Sequence, residues 1–318
     1  MNAIETNGLT KVYEGTAVVK ALDLKVNGEI YGLLGPNGSG KTTTVNMLTT
    51  LVRPSSGTAS VCGHDVTKDS AGVRQSMSYV PQDMAVDIRL TGWENVELFA
   101  KLYGIRDKAE RRERIEYVLD IMNLTERAGD MTKKYSGGMR RRLELAQALV
   151  HRPDVLFLDE PTVGLDVTSR RSIWEYITKL RGTGMTIFVT THQMDEAERY
   201  CDRVGILKKG VLLNEGTPAE LTSDLEDVVI VRTDSELPQK LPDGVVPVKL
   251  ENGEAVFSAA DGADSLDAIL DAYRAEGGKV FSASVRGPTL EDVYMQAIGP
   301  GEEAPFDEDR FRNMMRRR

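Results

Sequence analysis

The sequence predicts a mixed α/β fold, with a large core followed by a smaller α+β domain. Short apolar strands alternate with helical stripes over most of the chain, and a glycine-rich loop joins one strand directly to a helix. Beyond Thr217-Pro218 the pattern changes to alternating strands around one helical stripe. The 318 residues also exceed the roughly 250–300 at which a single core usually stops growing. We therefore expect a core domain at 1–220, a second domain at 221–299 and a disordered tail at 300–318.

Hydrophobic periodicity gives the elements of the core in order. The predicted strands are 2–13, 18–26, 30–34, 155–158, 185–190, 204–207 and 211–213. Helical spacing of apolar residues marks 45–52, 173–180 and 194–200. Residues 92–150 are mainly helical and belong to a predicted helical insertion at about 84–150.

The second domain is small and acidic. Alternating or helical patterns predict strands at 226–233, 245–257 and 279–285 and a helix at 265–275. Residues 221–299 carry 15 acidic and 6 basic side chains, whereas residues 1–220 carry 29 of each. Because the core is neutral, it lacks the broad basic face typical of nucleic-acid binding, and we expect no nucleic-acid partner.

The composition is that of an ordinary globular protein. Hydrophobic residues make up 41% and charged residues 28%, which excludes collagen-like, disordered and disulfide-scaffold proteins. The isolated Cys62 and Cys201 indicate reduced thiols in a cytosolic protein. No apolar run approaches the roughly 20 residues of a membrane-spanning helix, and the N-terminus lacks signal-peptide features. For the tail there are two alternatives. It is disordered, or Arg316–Arg318 contact phospholipid or a partner.

The glycine-rich loop carries the clearest chemical signal. It fits G-x-x-x-x-G-K-[ST] without a mismatch and consists of Gly35, Pro36, Asn37, Gly38, Ser39, Gly40, Lys41 and Thr42, followed by Thr43. Inward-turned backbone N–H groups in such a loop cradle phosphates, and the following helix N-terminus adds its positive end. Lys41 supplies an ammonium to the phosphates and Thr42 a hydroxyl for magnesium. A glycine-rich turn without function is the alternative, but the flanking strand and helix favour a P-loop NTPase with a RecA-like core.

Two acidic residues follow the predicted strand 155–158. A buried parallel strand delivers Asp159 to the carboxyl edge of the sheet, where ligands gather in open α/β sheets. Asp159 would hold magnesium, and Glu160 would orient or deprotonate an attacking water. Alone, this pattern is more often a solvated strand end, but the phosphate loop upstream favours a catalytic role.

A third motif points to the family. Ser136-Gly137-Gly138 precedes a helix and forms a second potential anion site at its N-terminus. In this order and spacing the sequence resembles the ATP-binding-cassette (ABC) ATPases, whose signature is usually Leu-Ser-Gly-Gly-Gln. Tyr135 and Met139 depart from that signature at its outer positions, which leaves the anion-binding centre unchanged.

The resemblance covers residues 1 to about 220 and implies an ATP site with magnesium. The matching positions are Tyr13 (stacking on adenine), 35–43 (Walker A), Gln82 (Q-loop), Asp159 and Glu160 (Walker B), Asp166 (D-loop) and His192 (switch histidine). It implies that Glu160, His192 and Gln82 act in hydrolysis. It also implies that Thr42, Gln82 and Asp159 hold magnesium.

The resemblance further implies the architecture and the partners. The core would carry the helical insertion and an antiparallel β subdomain. ATP would lie between the Walker motifs of one protomer and Ser136 to Gly138 of another, in a head-to-tail dimer with a second copy or a related chain. Such a dimer would power a membrane-spanning permease in a separate chain, from the cytoplasmic face of the membrane.

A second resemblance refines the subtype. Leu90–Asn95, Leu102–Gly104 and Gly287–Tyr294 look like drug-resistance exporter ATPases of the daunorubicin-resistance type, which carry a small C-terminal domain. This implies an exporter of drug, antibiotic or lipid-like cargo. Trp93 either belongs to the core or lines a groove for the permease, and the groove is slightly favoured.

Two other functions stay open at this point. The first is a soluble ABC ATPase that acts on ribosomes or DNA, although the paired cassettes and long coiled coils of those classes are missing here. The second is a nucleotide binder without turnover, which the intact Glu160 and His192 disfavour. The resemblance also implies that exporters of different cargo share these cassette residues, because the cargo contacts lie in the membrane partner.

Overall fold

The computed structural model describes residues 2–298. The predicted tail at 300–318 lies outside the described residues. The chain divides into two compact units, the first ending at Thr217 and the second starting at Pro218. None of the helices in the described part combines the length and the apolarity that crossing a bilayer requires.

The first unit contains two sheets and the helices around them. Its strands are β1 (Ile4–Tyr13), β2 (Thr16–Val26), β3 (Ile30–Leu34), β4 (Ser56–Val61), β5 (His64–Asp65), β6 (Met77–Val80), β7 (Val155–Asp159), β8 (Thr186–Thr191), β9 (Arg203–Lys208) and β10 (Val211–Gly216). Its helices are α1 (Lys41–Leu48), α2 (Ser70–Ser76), α3 (Gly92–Leu102), α4 (Lys108–Ile121), α5 (Gly137–Leu149), α6 (Val167–Arg181) and α7 (Met194–Tyr200).

The central sheet brings four loops to one edge. Its order is β10-β9-β3-β8-β7-β6, and all neighbours are parallel except β10 with β9. Strands β3, β7 and β8 are buried throughout, as expected of parallel strands covered on both faces. Because β3, β8, β7 and β6 are consecutive neighbours, the segments that follow their carboxyl ends emerge side by side.

The second sheet, β2-β1-β4-β5, is antiparallel. Its inward residues share one hydrophobic cluster with the central sheet and α1; members include Ile4, Leu22, Val61, Leu33, Val45 and Phe188. This packing brings Tyr13, at the end of β1, beside the glycine-rich loop. No element was predicted for residues 56–80, where the structure has β4, β5, α2 and β6. Strand β4 reads Ser-Gly-Thr-Ala-Ser-Val, so it lacks the apolar run on which the prediction depended.

The helical insertion lies between β6 and β7 and consists of α3, α4 and α5. Thr91 and Glu94 form a capping box that fixes the start of α3. The apolar faces of these helices are largely buried, with Val96 and Ala100 on α3 and Ile115, Val118, Leu119 and Met122 on and after α4. Trp93 is half-buried and lines two shallow cavities together with α4.

The second unit is a four-stranded antiparallel sheet with helices. Its elements are α8 (Pro218–Thr222), β11 (Asp227–Thr233), β12 (Val245–Glu251), β13 (Glu254–Ala259), α9 (Gly262–Ala275), β14 (Val280–Arg286) and α10 (Leu290–Ile298). The sheet order is β12-β13-β11-β14, and Ile269 and Tyr273 of α9 pack on Val229, Val231 and Phe257. The predicted continuous strand at 245–257 is wrong, because Asn252 and Gly253 turn the chain with positive φ between β12 and β13.

The predicted fold class is confirmed. The first unit is an α/β core with a helical insertion and an antiparallel β subdomain, and the second is a small α+β unit.

Candidate active site

A cavity of about 440 Å³ lies at the carboxyl edge of the central sheet. Its lining residues are Tyr13, Val18, Asn37, Gly38, Gly40, Lys41, Thr42, Thr43, Gln82 and Glu160. The cavity therefore unites the end of β1, the glycine-rich loop and the segments after β6 and β7. Asp159 and His192 contact its lining residues Thr42 and Glu160, so the structure brings most of the predicted site together.

The glycine-rich loop has the backbone that an anion cradle requires. Gly40, at the start of α1, has φ 109°, and a Cβ there would lie 2.6 Å from the carbonyl oxygen of Val18. Only glycine fits this conformation and this close approach. The Ser39 hydroxyl is buried and has no hydrogen-bond partner within residues 2–298. A buried orphan hydroxyl in a glycine-rich loop at a helix N-terminus fits a bound phosphate group.

Lys41 is buried inside this loop. Its Nζ donates to the carbonyl oxygens of Gly35 at 2.7 Å and Pro36 at 3.1 Å, and lies 3.5 Å from Oε1 of Glu160. Burial lowers the pKa of the ammonium, against the opposing effect of the Glu160 and Asp159 carboxylates. The loop thus holds a buried cation at the floor of the cavity, with carbonyl partners that an incoming anion can replace.

Asp159, 1% exposed, ends β7 next to the start of α1. Its Oδ1 accepts hydrogen bonds from the hydroxyl of Thr42 at 3.4 Å and from the hydroxyl of Thr190 on β8. A carboxylate beside a hydroxyl is a hard oxygen donor set that suits magnesium. Within residues 2–298 no group of three or more His, Cys, Asp or Glu side chains could hold a metal ion. Magnesium usually binds through few protein ligands together with substrate phosphates and water, and the oxygens of Thr42 and Asp159 fit that pattern.

Glu160, 6% exposed, lies between a cation and an imidazole. Its Oε1 is 3.2 Å from Nδ1 of His192 and 3.5 Å from Nζ of Lys41. Its backbone has φ 47°, a left-handed conformation that is unusual for a residue with a side chain. The Glu160 N–H donates to both the carbonyl and the hydroxyl oxygen of Thr190, at 3.1 Å each. These contacts aim the carboxylate into the cavity.

Gln82 and Tyr13 are exposed lining residues of the same cavity. Tyr13 is 44% exposed, and Nζ of Lys11 lies 4.8 Å from the centroid of its ring. An exposed aromatic ring at the mouth of a polar cavity can stack on a planar ligand group. Gln82 lies on the segment after β6, next to the segment that carries Glu160.

The Ser136 segment does not join this cavity. Ser136 caps α5 by accepting from the Met139 N–H, and together with Gly138 it lines a separate cavity of about 200 Å³. Gly137 is exposed beside them. Asp166 caps α6 and accepts from the N–H and hydroxyl of Ser169, which lower its pKa. The two cavities share no lining residue, so one chain holds two separate parts of the predicted site.

Two residues in contact with the site were missed in the sequence. Thr190 fixes both Asp159 and Glu160, but its role depends on the register of β7 with β8, which no local pattern reveals. Arg141 is a buried arginine of α5 that contacts the backbone of Glu160. Its one sequence signal is Glu144, three residues later on the same helix face.

Comparison with protein families gives one match in each unit. Residues 19–163 match the family described as ABC transporter. Residues 216–298 match the family described as ATP-binding protein DrrA1-3-like, C-terminal domain.

Relatives of known name extend these matches. The chain is 47% identical over 229 residues to the daunorubicin/doxorubicin resistance ATP-binding protein DrrA of Streptomyces peucetius, covering 72% of this chain and 69% of the relative. It is 35% identical over 306 residues to the linearmycin resistance ATP-binding protein LnrL of Bacillus subtilis (strain 168), covering 93% and 98%. It is 36% identical over 300 residues to the Nod factor export ATP-binding protein I of Cupriavidus metallidurans, covering 93% and 97%.

Solved structures resemble the first unit. One is cbiO1 from Clostridium perfringens, part of the ABC transporter complex cbiONQ, with a TM-score of 0.65, 27% identity and coverage of 70% of this chain and 91% of that chain. Another is the dimeric MJ0796, a bacterial ABC transporter cassette, with a TM-score of 0.61, 29% identity and coverage of 67% and 98%. The chain therefore belongs to the ABC transporter family, as one of its ATP-binding and ATP-hydrolysing subunits.

Proposed function

We propose that this chain hydrolyses ATP in a head-to-tail dimer and thereby drives export through a membrane-spanning permease in a separate chain. The observation that carries the dimer is the separation of the two cavities. Lys41 and Glu160 line one, while Ser136 and Gly138 line the other, and we infer that each is an incomplete nucleotide site on its own. A second copy turned head to tail would supply to each cavity the part that it lacks.

The first cavity suits the parts of ATP in turn. Tyr13 would stack on adenine at the mouth, and the amides of residues 35–43 would surround the phosphates. The Lys41 ammonium would exchange its carbonyl partners for phosphate oxygens, where its charge has greater effect. The buried Ser39 hydroxyl, which lacks a partner in the described part of the chain, would gain one. In the dimer, Ser136, Gly137 and Gly138 of the second copy would complete the phosphate site.

Thr42, Asp159 and Gln82 would hold magnesium. Thr42 and Asp159 are already within 3.4 Å of each other, and Gln82 lines the same cavity. The ion would neutralise charge on the phosphates during transfer.

Hydrolysis would depend on Glu160 and His192. The Glu160 carboxylate would accept a hydrogen bond from the attacking water, because its backbone is held at both the N–H and the C=O and its side chain faces the cavity. His192, 3.2 Å away, would orient that carboxylate and contact the terminal phosphate. Gln82 would help to position the water, and Asp166 would lie at the dimer interface near α6.

The names of the relatives support an exporter. The three described above are named for daunorubicin/doxorubicin resistance, linearmycin resistance and Nod factor export. We infer a drug, antibiotic or lipid-like cargo that is bound by the permease. The chain would then be a peripheral protein on the cytoplasmic face of the membrane, held there by the permease.

Capture from native membranes tests this function. The full chain with Glu160→Gln, tagged and trapped with ATP in its own cells, should co-purify after gentle solubilisation with a stoichiometric polytopic membrane protein. A tagged Glu175→Gln chain is the matched control, since Glu175 is an exposed residue of α6 paired with Arg171. Its complex should be less persistent, because it still hydrolyses ATP. Capture of ribosomes or DNA, with no membrane protein, would contradict the proposal.

A further inference from the structure

Arg141 connects the two segments that carry Gln82 and Glu160. It is 2% exposed and lies in the first turns of α5, the helix that Ser136 caps. Its Nε donates to the carbonyl oxygen of Pro161 at 2.8 Å, and its Nη2 donates to that of Glu160 at 3.3 Å. On the other side, Nη1 donates to the carbonyl of Pro81 at 2.8 Å and Nη2 to that of Gln82 at 3.5 Å. All three guanidinium nitrogens are therefore used, on two different loops.

Glu144 completes the connection on the same helix. It is 3% exposed, and its Oε2 accepts from Nη1 of Arg141 at 2.9 Å. Its Oε1 accepts from the backbone N–H of Ala85 at 2.5 Å, which fixes the far end of the segment that begins at Pro81. Burial raises the pKa of Glu144, and the Arg141 charge opposes that rise. The pair thus keeps a buried cation compensated while both partners bind backbone.

The contact from Arg141 helps to hold Glu160 in an unusual backbone conformation. Glu160 has φ 47°, and a residue with a side chain keeps such a conformation only when its surroundings hold it. Thr190 holds its N–H and Arg141 holds its C=O, so both peptide groups around the residue are fixed. The Glu160 carbonyl also accepts from the Val163 N–H at 3.3 Å, so loss of Arg141 would remove one of these two contacts. The more weakly held peptide group would then allow the carboxylate to turn away from the cavity.

We propose that Arg141 is a positioning residue for ATP hydrolysis, which keeps Gln82 and Glu160 in register from the helix that Ser136 caps. It does not line the nucleotide cavity, and it acts through the backbone of both residues. This inference rests on the proposed roles of Gln82 and Glu160. The role requires arginine, because a guanidinium presents its donors in a planar fork that reaches all five acceptors. A lysine ammonium is a single point charge and cannot reach them together.

The positioning role of Arg141 is tested by comparing the effects of its substitution on kcat and on KM. In the full chain, Arg141→Gln and Arg141→Lys should each lower kcat at least about tenfold, because small displacements of positioned groups cost large factors in rate. The KM and the equilibrium affinity for ATP should change less than about threefold, because Arg141 touches neither the phosphate loop nor Tyr13. Arg141→Lys keeps a charge beside Glu144, so it provides the answer even if Arg141→Gln fails to fold.

Arg140 provides a matched control. It precedes Arg141 on α5 and also donates to two carbonyl oxygens, those of Thr132 and Lys133, but it contacts neither loop. Arg140→Gln should retain the wild-type kcat. Rates are divided by the fraction of protein that binds a fluorescent ATP analogue, so that unfolded protein does not imitate a loss of kcat. A purely structural Arg141 would show normal kcat per binding-competent molecule, and that result would overturn the inference.

Double substitutions test whether Arg141 acts through Glu160. In single-turnover assays, adding Arg141→Lys to Glu160→Gln should lower the residual rate much less than Arg141→Lys lowers the wild-type rate. Full additivity would contradict a shared route. The proposed function fails separately, if the wild-type chain has no ATPase activity or if Glu160→Gln hydrolyses ATP at the wild-type rate.

Discussion

At the scale of single residues, the chemistry of the site depends on which groups surround Glu160. Lys41 comes from the loop after β3 and His192 from the segment after β8, and both lie within 3.5 Å of the same carboxylate oxygen. Each of these residues was predictable from the sequence, because each lies in a motif that follows a recognisable strand. Thr190 and Arg141 were not predictable, since strand register and the inward face of an arginine run appear only after folding.

Gly138 is the residue whose size matters most in the Ser136 segment. A Cβ at this position would lie 2.5 Å from Oγ and 2.8 Å from Cβ of Ser169 on α6. At the neighbouring Gly137, the nearest atom to a Cβ would be Cδ2 of Leu165 at 3.6 Å. The two glycines therefore differ in packing although both belong to the first turn of α5.

We predict that Gly138→Ala destabilises the first unit and that Gly137→Ala does not. Overpacking of this kind costs about 1–3 kcal/mol, whereas the helix propensity of alanine over glycine recovers at most about 1 kcal/mol. Thermal unfolding should show a lower Tm for Gly138→Ala and an equal or higher Tm for Gly137→Ala. Adding Ser169→Gly should recover part of the loss at Gly138. Equal Tm values for the two alanine variants would contradict the packing shown here.

At the scale of elements, His151 links the helical insertion to the central sheet. Its ring stacks on Tyr103 at the end of α3, with centroids 3.5 Å apart and planes 8° apart. Its Nε2–H donates to the carbonyl of Met77 at the start of β6, at 3.3 Å. Burial lowers the pKa of His151 to about 4, and the nearby Arg114 charge acts in the same direction. The folded protein thus holds the imidazole neutral.

This imidazole predicts a pH dependence of stability. Between pH 6.5 and about 4, the unfolded chain binds a proton at His151 that the folded chain does not. The contribution of His151 to the free energy of unfolding is therefore present above this window and decreases as the pH falls through it. His151→Phe and His151→Gln should both show a smaller loss of stability from pH 7 to pH 5 than the wild type. Urea unfolding monitored by tryptophan fluorescence measures this, because Trp93 and Trp174 both lie in the first unit. Wild-type pH dependence in both variants would contradict the assignment.

The elements show where periodicity succeeds and where it fails. The helix at 194–200 is predicted with its observed bounds, because its apolar residues recur at helical spacing. Periodicity predicts a strand across 245–257 and misses the hairpin of β12 and β13, although the Asn252-Gly253 pair is a strong turn signal. Strand β4 was missed because most of its side chains are small or polar. Hydrophobic spacing alone does not identify tight turns or strands made of small residues.

At the scale of the whole molecule, one chain keeps the cavity lined by Lys41 separate from the cavity lined by Ser136. The family matches fall one in each unit, at 19–163 and 216–298, and the ATP motifs all belong to the first. The sequence predicted the motifs and their family, but two separate cavities are a property of the fold. The acidic charge of 221–299 was also visible in the sequence.

Mixing two inactive variants tests the head-to-tail dimer most directly. Lys41→Ala should disable the phosphate loop and Ser136→Arg the segment donated to the other copy, so each homodimer should lack turnover. In a mixed dimer, one site combines both defects and the other contains neither. Equimolar mixing should therefore restore about a quarter of the wild-type ATPase rate, since half of the dimers are mixed and half of their sites are intact. No recovery on mixing, with both variants folded and able to associate, would show that the site is not shared between two chains.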